Sequence, residues 1–315
     1  MAETDFSVIV ECATLAPSVH NTQPWSFEQI GDTIEVIADR SRQLEFLDAT
    51  GRQLHLSCGA AIEFAYLAAR ATGRVCDVDL LPEPGRRDLL ARLRIGAASP
   101  PTQLETDLAD AIPRRYTDRG PYSDEPVPPQ ALIDLQSRAA ELGVWVRVLD
   151  QRTERTAVAT VLSEAEAAEA SDPRYARELE QWTSSEAGSS GVPLSAVPAW
   201  PAERVSDVPL RDFTGHDVHP RPGPAPTPPA VERDTLVLLG TAVDDPVSWL
   251  AAGRALGYLL LRATVDGMSA QPLGPAIDLP EARAALRREL GLVGHAQFLL
   301  RVGFGTGEPR TRRIG

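Results

Sequence analysis

The chain has no lysine: every one of its 31 basic residues is arginine. That excludes chemistry needing a lysine amine, such as a pyridoxal Schiff base or a P-loop phosphate site. Cysteine is scarce. Cys12, Cys58 and Cys76 show no CxxC spacing, and an odd three fits a reduced compartment better than a disulfide framework. Cys12 and Cys58 sit in apolar helical runs, where packing is the expected role. No apolar run reaches the roughly 18 residues a membrane span needs. Positive charge is in deficit, and a formal net charge of −13 disfavours nucleic acid and anionic membrane surfaces as partners. The opening Met-Ala-Glu-Thr-Asp lacks the basic-then-apolar order of a secretory signal. A soluble, cytoplasmic protein is expected. The 315 residues allow one large domain or two ordinary ones, and 43% hydrophobic residues suffice for a sizeable core.

Periodicity supplies the elements. Residues 6–15 read as a short helix ending before Pro17, and Thr33 to Ala38 as a strand entered through Gly31-Asp32. Arg52 to Thr72 is a long helix with apolar residues three and four apart, stopped at Gly73. Val75 to Leu81 alternates as a strand. A Pro-Gly turn, a short helix and a strand over Ala91 to Ile95 are expected next, then a break at Pro100-Pro101. Beyond it come a helix near Gln130 to Glu141, a strand over Val144 to Leu149 and an acidic helix over Thr156 to Arg177. After a strand at Thr235 to Leu239, Asp244-Asp245-Pro246 starts a helix that Gly267 stops. A helix over Glu281 to Leu290 and a strand over Gln297 to Val302 close the pattern. Residues 183–231 are rich in Pro and Gly and lack periodicity. They are either a linker or a lid over a site.

A proline-bracketed polar stretch follows the first helix: Ala16-Pro17-Ser18-Val19-His20-Asn21-Thr22-Gln23-Pro24-Trp25. Two prolines hold the backbone out of helix at either end, and Ser18, His20, Asn21 and Gln23 offer donors and acceptors between them. As composition alone, this is also an ordinary helix stop and loop. The order of residues says more. It resembles the Pro-Ser-x-x-Asn-x-Gln-Pro-Trp signature of the FMN-dependent nitroreductase family, with Pro17, Ser18, Asn21, Gln23, Pro24 and Trp25 in register. The His before Asn is most similar to the Acg-type branch, in which two nitroreductase-like halves are fused. The fold implied is α+β and internally duplicated, so that one chain mimics the family's dimer.

A repeat accords with this. Cys58-Gly59-Ala60-Ala61-Ile62 matches Ala252-Gly253-Arg254-Ala255-Leu256, and the stopping glycines Gly73 and Gly267 keep the same separation of 194 residues as Gly59 and Gly253. Leu93-Arg94-Ile95-Gly96 likewise matches Leu300-Arg301-Val302-Gly303. The expected halves are residues 1–100 and 101–315, forming a monomeric pseudo-dimer.

The resemblance also implies ligands. Arg115, Thr117 and Arg119 match an Arg-x-Ser/Thr-x-basic phosphate motif, although Gly120-Pro121 departs from the pattern before Tyr122. Arg310 and Arg312 match a closing basic element. Arginine suits a phosphate dianion because its fork binds two oxygens at once. The backbone of Leu273 and Gly274 would face the flavin N5. Pro17, Ser18, Val19, His20, Asn21 and Gln23 would reach across from the first half. Neither half holds both sets, so one FMN per chain is expected. The implied activity is NAD(P)H-dependent reduction of a small molecule, a nitroaromatic or quinone. No catalytic acid or base is assigned. The alternative is a flavin-holding protein with a covered site and little turnover. A His216-Asp217-Val218-His219 spacing is metal-like, but it lies in the Pro-rich stretch, and no metal is expected.

Overall fold

The computed structural model describes residues 3–184, 190–193, 204–206, 208–209, 230–231 and 234–305. Two four-stranded antiparallel sheets carry the architecture. In the first, β1 (Trp25–Ile30) and β2 (Thr33–Ala38) form a hairpin through Gly31, whose φ of +63° needs no Cβ. Helix α1 (Glu3–Thr14) precedes them, and α2 (Arg52–Ala71), β3 (Arg74–Leu80) and β4 (Leu89–Ala98) follow. The strand order is β1-β2-β4-β3.

Helices α3 (Gln103–Ala111) and α4 (Pro129–Glu141) lead to the second sheet, whose first strand is β5 (Val144–Leu149). After α5 (Arg152–Ser171) and α6 (Pro173–Gln181), two-residue strands pair in parallel: β6 (Thr183–Ser184) with β7 (Val192–Pro193), and β8 (Arg204–Val205) with β9 (Ala230–Val231). Then come β10 (Thr235–Thr241), α7 (Pro246–Val265), β11 (Ser269–Pro272), α8 (Pro275–Asp278), α9 (Pro280–Glu289) and β12 (His295–Gly303). Read from β5, the order is β5-β10-β12-β11, the same connectivity as the first sheet. The likeness extends to irregularities. Counting from the ladder pairs of Arg94 and Arg301, both ladders slip between the fourth and fifth pairs, at Val36/Ile37 and at Leu239/Gly240. A bulge is a built feature of a sheet, and one repeated in register marks the chain as duplicated.

The duplication centres on α2 and α7. Arg52 to Pro246 and Ala71 to Val265 are both separations of 194 residues, as the glycine pairs imply. Equivalent positions face each other. The rings of His55 and Trp249 are 5.5 Å apart. A Cβ on Gly59 would lie 2.9 Å from Gly253 Cα and 2.3 Å from Leu250 O; one on Gly253 would lie 2.9 Å from Gly59 Cα and 2.1 Å from Leu56 O. Leu56 and Leu250 are themselves equivalents. Such reciprocity is the isologous pattern of a two-fold dimer, here within one chain. Glycine is required because backbone meets backbone.

The halves differ where their surroundings differ. Buried Glu63 of α2 accepts from Arg254 Nε at 2.9 Å and from Arg138 Nη2 of α4 at 2.6 Å. The equivalents of Glu63 and Arg254 are Gly257 and Ala60, so this ion cluster has no second copy. On the outer face of the second sheet, Leu238 and Leu299 pack in an apolar cluster with residues of α5, α8 and α9. The corresponding ladder pair in the first sheet is Glu35 and Arg92, joined at 2.7 Å and shared with Arg86.

Two expectations change. Residues 81–88 form a tight turn rather than containing a short helix; only the second half has helices, α8 and α9, at that place. The helix expected over Thr156 to Arg177 is two. Asp172 caps α6 by accepting from Arg174 N at 2.8 Å, and Pro173 cannot continue the α5 hydrogen-bond ladder. Most of 183–231, including His216 and His219, lies outside the described residues, as do Arg310 and Arg312.

Candidate cofactor site

The elbow between α1 and β1 is conformationally unusual. Val19–Asn21 is a single 3-10 turn, and His20, Asn21 and Gln23 have φ of +45°, +56° and +51°. A left-handed non-glycine residue costs on the order of 1–3 kcal/mol, so the surroundings must hold these three. Ser18 Oγ accepts from Gln23 N at 2.9 Å, and Ser57 Oγ of α2 accepts from Val19 N at 3.2 Å. Arg42 Nη1 donates to Thr22 O at 3.0 Å. Cys58, buried as expected, places Sγ 3.2 Å from Pro24 O. His20 and Thr22 are buried, while Pro17, Ser18, Val19, Asn21 and Gln23 are half-buried.

Asn21 is the chain's one asparagine. Its Nδ2 donates to Gly191 O at 3.1 Å, while its buried Oδ1 has no hydrogen-bond partner among the described residues. That uniqueness, with the tolerance of asparagine for left-handed backbone, was a sequence signal for strain that motif reading passes over. Helix α6 lies against this region. Its buried Glu178 accepts from Phe46 N and Leu47 N, both at 2.9 Å, and Tyr175 packs with Leu44 and Leu47.

A relay joins the elbow to the second half. Ser57 Oγ, which holds Val19, donates to Gln53 O at 2.7 Å, and Gln53 Nε2 donates to Asp278 Oδ1 of α8. Arg52 donates to Ile277 O at 2.9 Å and Gln297 O at 2.8 Å. Burial lowers the Arg52 guanidinium to about 10, against the pull of Asp278 and Asp48. Asp48 closes the start of α2 by accepting from Gln53 N and Leu54 N, each at 2.8 Å. Burial raises its carboxyl to about 6, opposed by those amides and by Arg52. The segment before α8 contains Leu273 and Gly274. Leu273 N–H donates to Leu299 O at 2.9 Å, so that amide is engaged in the sheet. Gly274 O accepts from Ile277 N at 2.8 Å and starts α8.

The arginine segment approaches from the other side in sequence. After α3, Arg115 N bonds Ala111 O at 3.0 Å, and Thr117 forms a parallel bridge with Ala270 on the edge strand β11. Ser269 Oγ donates to Tyr116 Oη at 3.2 Å. Farther on, Tyr122 bridges Gly305, and Ser123 N donates to Phe304 O at 2.8 Å. Arg115, Thr117 and Arg119 are half-buried. The arginine segment thus bridges β11 just before Leu273-Gly274, and the elbow is joined through Ser57 and Gln53 of α2 to α8 just after it.

Fold and site together define an internally duplicated α+β protein with a candidate site where its halves meet. No family model matches the chain. Among curated proteins, it is 34% identical over 304 residues to "Putative NAD(P)H nitroreductase Rv3131" of Mycobacterium tuberculosis, covering 96% of this chain and 86% of that one. It is 31% identical over 307 residues to "Putative NAD(P)H nitroreductase acg" of the same organism, covering 93% and 87%. The chain belongs to the nitroreductase family, in its Acg-type branch. Among solved structures, a Bacteroides fragilis nitroreductase with bound FMN aligns at TM-score 0.40 and 14% identity, over 66% of this chain and 93% of that one. The FMN-dependent nitroreductase NfnB of Mycobacterium smegmatis, in complex with NADPH, aligns at TM-score 0.39 and 14% identity, over 65% and 90%.

Proposed function

We propose that this protein is an FMN-dependent NAD(P)H oxidoreductase that reduces small acceptors, nitroaromatics or quinones, with one flavin per chain in a monomeric pseudo-dimer. One observation carries the reading. The relay from Val19 through Ser57 and Gln53 to Asp278 ties the family's Pro-Ser-x-x-Asn elbow to the segment that begins at Leu273-Gly274. The residues suit the group. Asn21 Oδ1 is a buried acceptor lacking a partner among the described residues, and the flavin ring offers a donor for such an atom. Arg115, Thr117 and Arg119, with Arg310 and Arg312 beyond the described residues, would supply the donors a phosphate dianion requires.

When bound, the flavin supplies hydride acceptance from NAD(P)H and donation to the acceptor. The chain's part is to bind and orient. The elbow would hold the ring with Ser18, His20, Asn21 and Gln23, and Gly274 N–H would set its edge. Arginine near the pyrimidine edge would stabilise negative charge developing there. No side chain is needed to move a proton in this scheme. The boundary between halves is assigned near Pro100, with α3 reaching across to pack on both α2 and α7. The described residues contain no helix long and apolar enough to cross a membrane. A flavin-holding protein without turnover gains no support.

The test is direct. The purified protein should be yellow, and its visible flavin absorption should bleach on anaerobic addition of NADPH. Arg115→Ala combined with Arg312→Ala should yield a largely flavin-free protein. A yellow protein that stays oxidised under excess NADPH and NADH refutes the enzyme. Full flavin retention in the double variant refutes the phosphate assignment.

A further inference from the structure

Arg301 and Arg94 hold the same register position in the last strands of the two sheets, yet their environments are opposite. Arg94 is exposed and pairs with Asp79 at 3.0 Å. Arg301 has 0% exposure. Its Nε donates to Gln271 Oε1 at 2.8 Å, its Nη2 donates to Gly120 O at 2.6 Å, and its guanidinium lies 4.1 Å from the centre of the Tyr122 ring. A buried guanidinium is costly unless its charge and its donors are satisfied. Two of these three partners belong to the segment that follows Arg119, and the third sits on β11, where Thr117 is bridged.

We propose that Arg301 is a positioning residue that sets the Arg115–Arg119 segment to receive a phosphate dianion. This rests on the FMN reading. Arg301 itself is fully enclosed and does not touch the ligand. Its planar fork fixes the Gly120 carbonyl relative to Gln271, and Gly120 is covalently joined to Arg119. The bonds around it close the segment on both sides. Asp118 Oδ1 accepts from Gly120 N at 2.9 Å, and Tyr122 Oη donates to Asp118 O at 3.1 Å. A Cβ on Gly303 would lie 2.8 Å from Tyr122 Cδ2, so only glycine lets that ring cover Arg301. The Gly120-Pro121 departure from the family motif has a role here. It turns the chain so that the Gly120 carbonyl faces β12 and Tyr122 covers the guanidinium.

The discriminating probe is the pair FMN and riboflavin, which differ by the phosphate. Flavin-free wild type and variants are titrated with each, followed by flavin fluorescence quenching. Wild type should prefer FMN. Arg301→Met should lower that preference about tenfold or more, since charge-assisted contacts to the phosphate lose their geometry, while riboflavin affinity stays within about twofold. Arg301→Lys should restore part of the preference, because an ammonium keeps the charge but reaches one acceptor rather than both. Arg94→Met, the equivalent position, should change neither. Should Arg301→Met fail to fold, Gln271→Leu removes one anchor and should lower the same ratio by a smaller factor. Equal losses for both flavins, or an unchanged ratio in the folded variants, overturn the proposal. A wild type that binds neither flavin overturns the FMN reading instead, and is recognised before any variant is made.

Discussion

Gly59→Ala is the sharpest perturbation of this architecture. The added Cβ would stand 2.3 Å from Leu250 O and 2.9 Å from Gly253 Cα, where ordinary contact begins at 3.4 Å. Both obstructing atoms are backbone of a buried helix, so no rotamer change relieves the clash. Relief requires α2 and α7 to part by about 1 Å, and a gap of that size forfeits a quarter to a half of each dispersion contact along the pair. Overpacking typically costs about 1–3 kcal/mol, with values at or above the upper end expected when the obstruction is main chain. Alanine returns about 1 kcal/mol over glycine through helix propensity. The net expectation is a loss of about 2 kcal/mol, read in urea melts by circular dichroism. Gly253→Ala meets Leu56 O at 2.1 Å and Gly59 Cα at 2.9 Å, so its loss should match that of Gly59→Ala within about 0.5 kcal/mol. The double variant should lose less than the sum, because the first methyl has already opened the space for the second. Gly73 and Gly267, also equivalents, have open space around them and φ of +78° and +75°. Alanine there should cost only backbone strain, on the order of 1–2 kcal/mol, and should add independently. A neutral Gly59→Ala, or Gly59→Ala and Gly253→Ala effects differing by more than about 1 kcal/mol, would refute the reciprocal helix contact.

Two predictions concern pH. Burial raises the Asp48 carboxyl to about 6, above its unfolded value near 3.9, so the folded chain keeps a proton that the unfolded chain releases. Its contribution is full below about pH 4 and is lost as pH rises through 6, at no more than about 1.4 kcal/mol per pH unit. The stability of wild type minus that of Asp48→Asn should therefore fall between pH 4 and 7; a constant difference would contradict the assignment. Asp244 behaves oppositely. Burial works against its ionisation, but hydrogen bonds from Arg283, Gln297 and Trp249 outweigh it and hold the carboxyl well below the usual range. That stabilisation is present above about pH 4 and is lost as pH falls. Asp244→Asn should cost about 2 kcal/mol at pH 7, because Arg283 loses its bidentate partner. The cost should shrink towards pH 3; equal cost at both pH values would be the contrary result.

Local pattern carried much of this protein. The helix from Arg52 and its counterpart from Pro246 show in the spacing of apolar residues, because a helix places positions three and four apart on one face whatever lies opposite. The separation shared by Gly59/Gly253 and Gly73/Gly267 announced the duplication before any strand was paired. The Pro17 to Trp25 elbow stood out because its residue types are each tied to a backbone constraint or a hydrogen-bonding capacity. Other features had no local trace. Glu35 and Leu238 occupy one register position, and neighbours alone cannot say which sheet face other elements will cover. Arg94 and Arg301 sit in matching Leu-Arg-hydrophobic-Gly contexts, and one is exposed while the other is enclosed, since the enclosing segment, Gly120 to Tyr122, is 179 or more residues away in the chain. The helix break at Asp172 could be read from Pro173, but the left-handed backbone of His20 and Gln23 could not. Sequence periodicity reports the geometry of a residue with its near neighbours. Which distant surface meets that face depends on the whole chain closing around α2 and α7, and with it the burial, the charge pairing and the strain.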